Sequence, residues 1–281
     1  VSDTAQRPTA AGNPQAGPPQ VRRPRLVAFW VLLALLLFLH LGERPQMLLF
    51  PLTAFGDVGD LATHEIHLFA QGLFAWTVLA AVAVQLRRPS RQVGAAWAFT
   101  LATVIAFAMV AVLGDLPGNV VPILIAAIAV AVLAFLAHPA SLRAKVTPID
   151  RPSLMLTTLA AAATIPLVTY AAGQLGIQLA SGPGDEHWQF GHWIIMAAVA
   201  LIAVGLAAVA AAKLSGWRFP LWAAGLIVAA LGVGSLGISA VSQLSTGWAL
   251  AALAWGVTFI AAGELQGRRT AVAGTGDRQR V

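Results

Sequence analysis

Six histidines carry most of the chemistry this chain could do, and five of them gather at one set of segment ends. His40, His64, His67, His187 and His192 fall where apolar stretches begin or end on one side, and His138 falls on the other. His64 and His67 are three residues apart, so a helix presents both on one face, and Gln71 continues that face. Asp60 and Glu65 stand beside the first pair, and Asp185, Glu186 and His187 lead up to His192 in the same way. Neutral imidazole with carboxylate suits zinc, copper or non-haem iron. Imidazole is also an axial ligand of haem iron. The candidate metal ligands are therefore His64, His67, His187, His192, Glu65 and Asp185, and the candidate cofactor ligands are His67 and His192. Haem b or a divalent metal would meet this pattern. The bland explanation is that amphipathic rings favour a membrane–water interface with or without a ligand.

The elements that must position these residues are apolar. The chain is 58% hydrophobic and 10% charged, against about 25% charged residues in a soluble domain. There is too little polar surface to coat a water-soluble globule, so lipid must solvate much of it. Cysteine is absent, which excludes disulfides, thiolate metal sites and cysteine nucleophiles. At about 20 residues per span, eight segments are long enough to cross a bilayer: roughly 26–41, 66–86, 95–113, 120–138, 154–179, 190–213, 219–242 and 246–263. Pro166 predicts a kink or tilt in the fifth. Met47–Phe55 is apolar but too short to span, and is expected at the interface. Residues 1–25 and 265–281, rich in small and polar residues, read as disordered tails, and 139–153 as a linker.

Charge sets the orientation. Of seventeen Lys and Arg residues, sixteen lie on one side of this series, in alternate breaks that hold Arg87, Arg88 and Arg91, or Arg143, Lys145 and Arg151. The intervening breaks hold only Arg44, and collect Glu43, Asp57, Asp60, Glu65, Asp115, Asp185 and Glu186. Lys and Arg are retained in cytoplasmic loops. The expectation is a multi-pass protein of the plasma membrane, with both termini cytoplasmic and the clustered histidines outside. Its net charge of +6 reads as an orientation signal rather than a nucleic-acid footprint. The expected partners are the lipid bilayer and other membrane proteins, not nucleic acid.

The two halves match at an offset of 125 residues. Gly59-Asp60 pairs with Gly184-Asp185, His67 with His192, and Trp97 with Trp222. The predicted fold class is thus an all-α membrane protein whose eight transmembrane helices form two tandem four-helix repeats, 26–138 and 154–264. Repeats of four spans are parallel, related by an axis along the membrane normal.

This layout resembles the haem A synthase and cytochrome-b561-like membrane proteins, in which four-helix units hold haem between histidines. His64-Glu65-Ile66-His67 falls where haem A synthase has a Glu-x-x-His opening its second helix; His64 takes the Glu position, and Gln189 does so in the second half. The resemblance carries a ligand role onto His67 and His192 alone. Asn119-Val-Val-Pro122 and Ser245-Thr-Gly-Trp248 stand where the partner histidines of the fourth and eighth helices belong, and the outer-loop cysteines are missing. It therefore implies a diverged relative with one remaining haem site or none.

Three functions fit these residues. The leading one is a non-catalytic integral membrane protein with a structural or accessory role in the cell envelope. The second is a haem- or metal-binding redox protein with its site on the outer face. The third is a small-molecule or lipid transporter, which the lack of Asp, Glu, Lys and Arg within the spans away from their ends disfavours.

Overall fold

The computed structural model describes residues 23–42, 45–53, 65–114, 120–182, 184–189, 191–238 and 242–278, with side chains to residue 268. Among them are eight helices long and apolar enough to cross a membrane, and no strand. They are α1 Arg23–Leu41, α2 Glu65–Ala83, α3 Val93–Leu113, α4 Val120–Ala137, α5 Leu154–Ala180, α6 His192–Ala211, α7 Arg218–Gly237 and α8 Thr246–Arg278. Ala- and Leu-rich segments favour the helix, and in lipid the helix is the one open element that satisfies all its own backbone groups. The protein is an all-α multi-pass membrane protein.

The helix bounds follow the hydropathy with two larger differences. The seventh helix ends at Gly237, before the predicted 242, after a run rich in Gly that weakens helix. The last helix runs on to Arg278, so the stretch read as a tail from residue 265 begins as helix. Pro166 lies inside a continuous 27-residue α5. Residues 1–22, most of the first predicted tail, lie outside the described residues. Pro45–Leu48 and Phe50–Thr53 form two short helical turns packed on α2, where Trp76 Nε1 donates to the Leu48 carbonyl at 2.8 Å.

Helices α1 to α4 pack in a ring in chain order, α1 closing against α4, and α5 to α8 do the same, α5 closing against α8. The two groups meet through α2 and α3 on one side and α6 and α7 on the other. The enclosed spans are accordingly α6 and α2, with 72% and 67% of their central windows buried. Phe99, Met196, Ile202 and Leu206 fill the interface between the groups. The basic loops of the groups also join. Gly94 N–H donates to the Ser215 carbonyl at 2.7 Å, and Ser215 Oγ donates to the Arg91 carbonyl at 2.8 Å. A Cβ on Gly94 would stand 2.6 Å from the Gly216 carbonyl oxygen, so this contact requires glycine.

Two cations finish the basic end of α4. The Arg25 guanidinium donates to the carbonyls of His138 at 2.7 Å and Ala140 at 3.0 Å, and to those of Leu136 and Ala137 at 3.3 Å. The Lys145 ammonium donates to the carbonyls of Phe135 and Leu136. A helix C-terminus leaves four carbonyls unsatisfied and carries partial negative charge, so both cations suit this place.

Candidate metal centre

The helix order brings three histidines together at the end of the bundle opposite the basic loops. His67 lies in the first turn of α2, His192 opens α6, and His187 sits on the four-residue helix Glu186–Gln189 just before α6. Their donor nitrogens all lie within 4.8 Å of one another. His67 and His192 are buried and His187 is partly exposed.

Each ring is placed by an identifiable cause. Asp185 precedes the short helix and accepts the His187 N–H at 2.7 Å, as an N-cap does. The same carboxylate oxygen lies 3.2 Å from His187 Nδ1. With Nδ1–H donating to Asp185, Nε2 keeps the lone pair that a metal needs. Partial burial opposes ionisation of Asp185, but the N–H groups of His187 and Trp188 and the His187 imidazole together hold its pKa below the usual carboxylate value. Gly191 has φ of 63°, the left-handed region, where a side chain is strained. That turn leads into α6, and the His187 and His192 rings both meet His67.

His67 comes from the other group of helices. Its Nε2 is 2.8 Å from Ser242 Oγ in the segment between α7 and α8. The His67 and His192 rings stack with centroids 4.9 Å apart and planes 18° from parallel. His187 meets His67 edge-on, with centroids 5.0 Å apart. Trp193 closes the site from below, stacked on His187 at 5.2 Å and edge-on to His67 at 5.0 Å. Buried Trp193 Nε1 has no hydrogen-bond partner among the described residues. Gln178 of α5 steadies the outer wall by donating to the Trp188 carbonyl at 3.2 Å.

The predicted ligands thus separate. His67, His187 and His192 converge. Asp185 orients one of them. Glu65 opens α2 outside the converging group, and His64 and Asp60 lie outside the described residues. His40 is elsewhere, bonded through Nδ1 to the Leu36 carbonyl at 2.8 Å and stacked on Phe107. His138 is at the basic end, where it accepts the Ala140 N–H. Sequence reasoning missed Ser242, Trp193 and Gln178. Trp193 adjoins His192 and could have been found, whereas Ser242 meets His67 only through the tertiary fold.

Three neutral imidazoles suit a compact divalent transition metal with one position open. Tetrahedral donors at about 2.0–2.1 Å from the ion stand roughly 3.3 Å apart, so the rings would draw in slightly around it. Two axial histidines of a haem face each other through the iron, with a porphyrin plane between them. The stacked rings of His67 and His192 do not have that arrangement.

Fold and site define a polytopic helical membrane protein with a histidine cluster at one end of its bundle. Comparison with protein-family models, curated proteins and solved structures finds no match.

Proposed function

We propose that the chain is an accessory metal-binding protein of the cell envelope, holding one divalent transition metal through His67, His187 and His192. The observation that carries this is the convergence of three imidazoles from two distant parts of the chain, one already oriented by a carboxylate. Metal-ligating histidines almost always have such a partner on the second ring nitrogen. With three protein ligands the fourth position is left for water or a small ligand, the arrangement of zinc sites that polarise what they bind. The stacking of His67 on His192 favours a small ion over haem.

The centre would sit between two parallel four-helix repeats. That reading is supported by the matching rings of helices. It is also supported by Arg88 and Lys213, the two non-glycine described residues with left-handed backbones, φ 52° and 54°, which keep the offset of His67 and His192. The charge segregation supports a plasma-membrane protein with both ends and all the basic loops cytoplasmic, and the histidines outside.

The test is metal binding by protein purified in mild detergent. Cobalt(II) should give a visible absorption spectrum at one equivalent, displaced by zinc. A protein that binds neither metal above the level of a His67→Ala, His192→Ala double variant overturns the reading.

A further inference from the structure

A cavity of about 510 Å³ opens between α5, α7 and α8, on the side of the second helix group away from the first. Its walls include Pro166, Tyr170, Leu231, Leu244, Trp248 and Trp255. This volume is within the roughly 300–1,000 Å³ of ligand sites. Pro166 lies in this wall, where proline has no N–H for the Ala162 carbonyl one turn back. Ala162 and Ala251, both exposed, leave the walls thin.

The cavity lies along helices that cross the bilayer, from Leu244 and Trp248 at the histidine end to Ala162 nearer the middle of α5. At that depth the surrounding medium is hydrocarbon, and an unfilled apolar space of this size would forfeit its dispersion contacts. Trp248 at the rim is the residue type that marks the headgroup level.

One polar group joins this apolar wall to the histidines. Tyr170 Oη donates to the Ser242 carbonyl at 2.9 Å, and Ser242 Oγ is the partner of His67 Nε2. Ser242 is fully buried. Tyr170 and the His67 ring are therefore both hydrogen-bonded to the one residue Ser242.

We propose that this cavity binds one acyl chain of a bilayer lipid, and that the bound chain, packed on Tyr170, holds Ser242 and His67 in place. The lipid site stands on the cavity alone; the effect on His67 rests on the metal-centre reading.

The experiment uses full-length protein in phosphatidylcholine vesicles containing a phosphatidylcholine with a diazirine on one acyl chain. After photolysis, labelled peptides are mapped. Label on 162–170 and 248–255 should exceed that on the lipid-exposed face of α4, 123–133, several-fold. Ala162→Trp and, independently, Ala251→Trp should fill the cavity and bring the label down to the α4 level. Equal labelling of the two regions in the native protein overturns the site, as does labelling that survives both substitutions. In the same variants cobalt(II) should bind about 10-fold more weakly than in native protein. Unchanged cobalt affinity overturns the link to His67. Native protein that binds no cobalt overturns the metal centre and that link together, and the lipid site is then judged by labelling.

Discussion

The rings of His67 and His192 lie face to face, 4.9 Å between centroids and 18° from parallel, although their helices belong to different halves of the bundle. Each occupies the first turn of the second helix of its own group. The centre is thus shared, and neither half contains it alone. Alanine at His67, His187 or His192 should each weaken zinc or cobalt binding by at least about 100-fold. That is the upper end of the roughly 10–100-fold seen when only a ligand's hydrogen-bond partner is lost. His138→Ala should leave the titration unchanged.

Asp185 and Gly191 place residues of the same histidine cluster without belonging to it. Asp185→Asn removes the charge that orients His187 and should cost about 10-fold in affinity. Gly191→Ala strains a left-handed turn and should lower both affinity and thermal stability, the latter by about 1 kcal/mol. Equal affinity in Asp185→Asn and native protein would show that the Asp185 charge does not support the site.

Orientation is checked by single cysteines in a chain that has none of its own. Placed at Ser90, Ser141 and Ser215 they should resist an impermeant thiol reagent in intact cells. At Thr53 and Ser181 they should react. External labelling of Ser141→Cys would reverse the topology.

His138 sets an acid limit at the basic end. Burial, then the nearby Lys145 charge, lower its pKa from 6.5 to about 4; the Pro89 carbonyl opposes this, and the Arg25 charge adds a last, smaller lowering. Below pH 6.5 the unfolded chain takes up a proton that the folded chain refuses until about pH 4. Stability from this residue is therefore complete above pH 6.5 and is lost as pH falls through that window. His138→Gln should flatten the fall in melting temperature over the same window in detergent. An unchanged slope would mean that other groups set it.

Gly94 tests how the halves meet. Its missing Cβ admits the Gly216 carbonyl, so Gly94→Val should destabilise by about 1–3 kcal/mol. Gly173→Val, at a position with open space around it, should be close to neutral by comparison.

The spans were legible because each is an unbroken apolar run that lipid requires to be helical, and α3, α4 and α5 begin or end within two residues of the hydropathy bounds. The end of α7 was not, since Gly232, Gly234 and Gly237 remain apolar by composition while weakening helix. In the site, His67, His187 and His192 stood out because histidine is scarce and they sit at like ends of their spans. Whether Asp185 binds a metal or orients a ring depends on a 3.2 Å contact inside a turn, which spacing alone does not determine. The Tyr170–Ser242–His67 connection crosses three distant segments, and no local pattern encodes it.

Arg25 clasps the carbonyls of Leu136, Ala137, His138 and Ala140, which are more than a hundred positions later in the chain. A ribosome adding about 5–20 residues per second makes those carbonyls some 6–22 seconds after Arg25. Until they are made, the Arg25 guanidinium has none of these four partners. Emergence of the fourth span fastens it. The contact that ties the first helix to the fourth is therefore completed only by the last-made helix of the first half.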